Sequence, residues 1–164
     1  MNKLDLYRNS FLFKGPVVGI PAPYSLSSRP RGFFGAPGII LSKHQKRVLD
    51  ATDEKIIING VEYVGGRKNG GVYTGLTHIY EANGIKLEFE NLPLSQWVCG
   101  ESYMIGSING QRVFLARCLG GIKSLLRTRL RFTCRSLVQS QLNDQDAVLA
   151  MASIAWWLLA DYEQ

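Results

Sequence analysis

The chain has 164 residues, 46 % of them hydrophobic and 20 % charged, with a formal net charge of +6. That length suits one domain, 1–164, able to bury about 70 % of its unfolded surface, and the composition excludes a disordered chain. The positive balance points to an anionic partner, whether nucleic acid or an anionic membrane surface.

Cys99, Cys118 and Cys134 form an odd set without C-x-x-C spacing. Neither a zinc site nor a disulfide framework is expected from them, and no cofactor is implied. The reading is a reducing, cytoplasmic compartment, with a peripheral location at a membrane as its extension. Asp5 and the lack of a continuous apolar core near the N-terminus argue against a secretion signal.

Residues 1–40 are rich in Pro, Gly and aromatics, among them Phe11, Phe13, Pro16, Pro21, Pro23 and Tyr24. Such prolines forbid a long helix, so an extended arm or edge segment is expected, with Phe11-Leu12-Phe13 and Val17-Val18 as short edge strands. Residues 42–51 predict a short helix with Ser42 as its N-cap.

Three Asn-Gly pairs follow at nearly even spacing: Asn59-Gly60, Asn83-Gly84 and Asn109-Gly110. Asn-Gly accepts positive φ at both central positions of a type I′ turn, which makes it a strong hairpin signal. Strand-forming runs flank each pair, so antiparallel hairpins are expected over 55–136. Gly65-Gly66-Arg67-Lys68-Asn69-Gly70-Gly71 reads as a flexible loop between the first two hairpins. It lacks the Gly-Lys-Ser/Thr ending and the strand-to-helix context of a phosphate loop. Leu92-Pro93-Leu94 reads as a turn, with Trp97 in the core.

In Arg127–Arg135 the residue types alternate. Thr128, Leu130, Phe132 and Cys134 point one way, and Arg127, Arg129, Arg131 and Arg135 the other. The last segment, 144–161, predicts a helix capped by Asn143 or Asp144, with Asp146 in its first turn. At 3.6 residues per turn Ala147–Ala160 leaves no polar face, so the helix must be enclosed. Its 14 residues are too few for a membrane span, which needs about 20. The expected fold is therefore mainly β, an antiparallel barrel or strongly curved sheet around one buried C-terminal helix.

Hairpins followed by an all-apolar terminal helix resemble the tubby C-terminal-like superfamily, which includes phospholipid scramblases and LURP-one-related proteins. The resemblance covers about residues 55–162. It rests on Tyr103-Met104-Ile105 through Asn109-Gly110 to Val113-Phe114-Leu115-Ala116-Arg117, and on Asp144 and Asp146 leading into Val148-Leu149-Ala150-Met151-Ala152. Tyr80–Leu87 is similar to the corresponding hairpin of the first half. What the resemblance implies is a closed barrel of about a dozen strands threaded by the helix, and a non-enzymatic module that engages membrane lipid or a membrane-associated partner.

Between Glu101 and Asp144 there is no acidic residue, yet there are seven basic ones: Arg112, Arg117, Lys123, Arg127, Arg129, Arg131 and Arg135. Neighbouring like charges on a strand face repel, so such a ladder suits an anion, whose oxygens the arginine fork matches. A solvated edge that discourages aggregation is the alternative, and an acidic protein surface is a third reading. Glu62, Glu88 and Glu90 are the nearest strand acids available to neutralise the ladder.

No catalytic constellation stands out. His44 and His78 are the only histidines, with Cys99–His78 the one nucleophile–base pairing to consider. Three functions remain: a module for anionic lipid headgroups, a nucleic-acid-binding β-protein, and an assembly protein using its N-terminal arm. Phe132 lies opposite Arg129 and Arg131 in the alternation, which favours backbone or headgroup electrostatics over base stacking.

Overall fold

Antiparallel strands and one C-terminal helix make up the computed structural model, which describes residues 2–9, 16–29, 38–69, 76–92, 101–119, 127–134 and 145–161. In chain order the strands are β1 (Asn2–Asn9), β2 (Tyr24–Ser28), β3 (Gly38–Lys43), β4 (Lys46–Thr52), β5 (Lys55–Ile58) and β6 (Val61–Asn69). They continue with β7 (Leu76–Ala82), β8 (Ile85–Leu92), β9 (Glu101–Ile108), β10 (Gln111–Leu119) and β11 (Arg127–Cys134). Helix α1 (Gln145–Trp156) ends in a π-helical turn over Trp157–Asp161.

All eleven strands belong to one sheet, in the order β1-β11-β10-β9-β8-β7-β6-β5-β4-β3-β2. From β2 to β11 this is an uninterrupted meander, and the first strand then adds antiparallel to the last. The three Asn-Gly pairs sit at tight turns, with φ of 48°, 49° and 50° at Asn59, Asn83 and Asn109. Positive φ also recurs at the glycines that follow, the signature of type I′ turns. Asn109 further clamps the neighbouring hairpin, its side chain accepting from the Lys86 amide at 2.8 Å.

Residues 42–51 are not a helix. Ser42 and Lys43 end β3, His44 and Gln45 form a turn with φ of 48° and 65°, and Lys46 starts β4. Strand pairing sets Leu41 opposite Leu49 and Ser42 opposite Arg47, and Ile39, Leu41, Val48, Leu49 and Ala51 are enclosed, with Arg47 outside. Gly65–Asn69 is not a loop either but the second half of β6, paired with Leu76–Tyr80. Phe11-Leu12-Phe13 and Trp97 lie outside the described residues, whereas Val18 does reach a strand edge, exchanging two backbone hydrogen bonds with Tyr7 at 3.0 and 2.8 Å.

The helix is enclosed as its composition requires. Residues Met151–Leu158 are all buried, and Trp156 has no exposed surface. Helix α1 packs against β10, β11 and β1 at one end of the strand order and against β3 and β4 at the other. A sheet touching one helix with strands from both ends must curve around it. The ladder is nevertheless open, with β1 and β2 as its edges, and not a closed barrel.

Aromatic rings line the concave face: Tyr80, Phe89, Phe114 and Phe132 follow one another with centroids 6.2, 6.0 and 4.8 Å apart. An irregularity between Arg112 and Phe114 lets both Val113 and Phe114 face inward. At the helix N-terminus, Tyr24 donates a hydrogen bond to Asp146, and Lys43 lies 3.6 Å from the same carboxylate. These contacts pin edge strand β2 and its neighbour to the first helical turn. Ser153, the one hydroxyl in the apolar run, donates to the Leu149 carbonyl at 2.7 Å and so is satisfied inside the core.

Candidate anion-binding face

On β11 the alternation works as its residue types dictate. Leu130, Phe132 and Cys134 are buried against the core, which turns Arg129 and Arg131 to the convex, outer surface. On β10, Ala116 and Cys118 are buried, which places Leu115 and Arg117 outside. On β1, Leu6 and Arg8 are buried and Leu4 packs against the core, which places Lys3, Asp5 and Tyr7 outside.

Register then aligns these residues into rows. Tyr103 on β9 opposes Arg117, Arg117 opposes Arg131, and Arg131 opposes Asp5. The adjacent row runs from Arg129 to Tyr7 and on to Val18. The Arg117 guanidinium lies over the Tyr103 ring at 5.9 Å. Arg129 Nη2 donates to Asp5 Oδ2 at 3.5 Å, and Arg131 Nε is 3.6 Å from Asp5 Oδ1. The acid that faces the ladder is therefore Asp5, not Glu62, Glu88 or Glu90. Glu88 is instead 2.7 Å from Lys86 on its own strand.

Of the seven basic residues singled out by charge, Arg117, Arg129 and Arg131 converge. Arg112 is exposed at the far end of β10, beside the Asn109-Gly110 turn. Arg127 lies in β11 opposite Asn9, while Lys123 and Arg135 fall outside the described residues. Asp5, Tyr7 and Tyr103 are the members of this face that sequence reasoning misses. Lys3-Leu4-Asp5-Leu6-Tyr7 carries the same alternation as β11, which is the available signal for a strand there. That this strand lies beside the last one is a fact of topology that no local pattern encodes.

Apolar side chains border the arginines. Leu115 is 46 % exposed, two residues from Arg117 on the same strand face, and Leu92 opposes Tyr103 at 36 % exposed. The face thus combines guanidinium groups with aromatic and aliphatic surface.

The inner face holds few polar groups. His78 is 2 % exposed on β7, with Phe89 and Arg67 as its register neighbours. Burial holds its imidazole pKa below the usual 6.5; nearby Asp53 opposes that shift and Arg67 adds to it. The unfolded chain therefore takes up the His78 proton first as pH falls. Stability should be fully present above about pH 6.5 and decline below it, down to the lowered folded-state value. His78→Gln should flatten that acid limb in denaturation curves measured between pH 7 and 5, and an unchanged limb would assign it to other groups. His44 is exposed at the β3–β4 turn, and Cys99 is outside the described residues. Among the described residues no three His, Cys, Asp or Glu side chains are grouped to hold a metal ion.

Comparison of the chain with family models, with curated proteins and with solved structures found no match.

Proposed function

We propose that the outer face of β9, β10, β11 and β1 is a non-enzymatic binding surface that holds the protein against anionic lipid headgroups. The observation that carries this reading is the convergence of Arg117, Arg129 and Arg131 on two adjacent strands, bordered by the exposed Leu115 and Leu92. Arginine forks match phosphate oxygens, and the neighbouring leucines suit the boundary between headgroup and acyl chain. Among the described residues no helix is long and apolar enough to cross a membrane. Attachment in this reading is peripheral, on the cytoplasmic side, where anionic lipids concentrate. The resemblance to the tubby C-terminal-like superfamily supports the same class of function.

A second reading is favoured by one specific observation. Tyr7 and Tyr103 share the arginine face, which is how single-strand nucleic-acid binders combine backbone electrostatics with base stacking. Phe132 contributes nothing to such stacking, since it is 1 % exposed within the core.

Reversal of Arg129 and Arg131 to Glu distinguishes functional charge from a solvated strand edge. Both arginines are substantially exposed, and exposed ion pairs contribute about 1 kcal/mol or less, so the melting temperature should change little. Sedimentation with anionic vesicles should be lost, and wild-type binding should weaken steeply with salt as screening shortens to about 8 Å at physiological ionic strength. Equal vesicle binding by wild type and the double variant would leave the arginines as a solvated edge. Tighter binding to single-stranded nucleic acid than to vesicles at the same salt would select the second reading.

A further inference from the structure

The arginine pair is already occupied. Asp5 spans it, with Oδ2 toward Arg129 Nη2 at 3.5 Å and Oδ1 toward Arg131 Nε at 3.6 Å. Each carboxylate oxygen thus faces a different guanidinium, in the position that two oxygens of a phosphate would take. The third arginine is not part of this arrangement. Arg117 opposes Arg131 across the strands, and like charges in that relation repel. Asp5 on one side of the row and the Tyr103 ring on the other offer the two guanidinium groups separate partners. The side chain of Asp5 is 52 % exposed, so it can swing away from the arginines without opening the core.

We propose, on the reading of this face as a lipid-headgroup surface, that Asp5 is an internal competitor that every phosphate must displace, so that the face takes up phosphomonoesters where phosphodiesters stay unbound. A diester phosphate carries about one negative charge, so exchanging it for the Asp5 carboxylate replaces one charge by another with little electrostatic gain. A monoester carries about −1.5 to −2 at pH 7 and presents three acceptor oxygens. It therefore outweighs the carboxylate and has an oxygen left for Arg117 beside Arg129 and Arg131. The ligand chemistry is a terminal phosphate, supplied either by a headgroup such as that of phosphatidic acid or by a soluble phosphomonoester.

The test uses the full chain and phosphatidylcholine vesicles matched in surface charge, carrying either phosphatidic acid or phosphatidylglycerol. Wild-type protein should bind the phosphatidic acid vesicles about tenfold more tightly, at the lower end of what one extra charge about 4 Å away is worth near a protein surface. Asp5→Asn removes the competitor at nearly constant shape. It should raise affinity for both vesicles by about tenfold and leave their ratio unchanged, because each phosphate displaces the same carboxylate. Excess glycerol 3-phosphate that displaces wild-type protein supports a soluble monoester as ligand, and selectivity that survives it supports the lipid headgroup.

Wild-type protein that binds both vesicles equally overturns the proposal, and this ratio decides even if the variant fails to fold. Vesicle binding that Arg129→Glu/Arg131→Glu abolishes, with no gain in affinity from Asp5→Asn for either vesicle, overturns the role of Asp5 and leaves the headgroup surface standing. Absence of binding to either vesicle overturns both.

Discussion

Replacing Trp156 with Ala should cost about 3–5 kcal/mol, the range for removing a fully buried large aromatic. Trp156 has no exposed surface, and it sits on the last turn of a helix that strands from both ends of the sheet enclose. Its ring also lies 5.4 Å beneath the guanidinium of Arg8, itself only 6 % exposed. The substitution therefore leaves a cavity and takes an aromatic face from a buried cation, whose desolvation remains. Natural domains hold about 5–15 kcal/mol in total, so this one change approaches the whole margin. Urea denaturation should show the loss directly, and Leu159→Ala, at a partly exposed position on the following turn, should cost much less. A Trp156→Ala protein within about 1 kcal/mol of wild type would mean that the helix is not the centre of the core.

Trp156 is legible in the sequence because a helix without a polar face admits one solution, enclosure. The same holds for the hairpins at Asn59, Asn83 and Asn109, where side chain and turn geometry are tied by the positive φ that few residues accept. His44-Gln45 makes the same turn with residues that rarely adopt it, so the β3–β4 hairpin reads as helix. Gly65-Gly66 reads as loop because glycine signals turns by composition, whereas in β6 it marks a place where two backbones approach. Half of the candidate site is likewise local and half is not. The arginine alternation of β11 is written in eight consecutive residues. Asp5 is brought to it from 124 positions away in sequence, by a first strand that pairs with the last. Charge counting finds the cations because they cluster along the chain, and misses their counter-ion because only the fold places it there.

That topology also explains why the face is where it is. β1 and β2 are the edges of an open ladder, and edges expose unpaired backbone groups that invite other strands. Near β1 the chain answers with Val18, which bonds to Tyr7 on the outer side, and with charged Lys3 and Asp5 on the exposed surface. The charges on this edge strand lie beside the β11 arginines of the proposed headgroup surface, and Asp5 pairs with them.

The largest backbone effect is expected at Gly65. A Cβ there would lie 1.8 Å from the carbonyl oxygen of Ile79 and 2.8 Å from its carbon, both fixed parts of β7. The strands must separate to admit even a methyl group, at the register position that holds Tyr80. Tyr80 is fully buried, and its hydroxyl donates toward the Thr52 and Asp53 carbonyls, each at 3.4 Å, so a shift of β7 carries into the core and into the β4–β5 turn. Gly65→Ala should therefore cost about 3 kcal/mol, the upper part of the range for overpacking that moves backbone. Gly110 provides the contrast. Its φ is +80°, but no atom lies within 4 Å of where an alanine methyl would stand, so Gly110→Ala meets only the left-handed backbone strain, about 1 kcal/mol. Measured side by side in urea, the strand variant should lose clearly more than the turn variant. The reverse order would mean that β6 and β7 can part freely at this point, and that the turns rather than the strand contact hold the register.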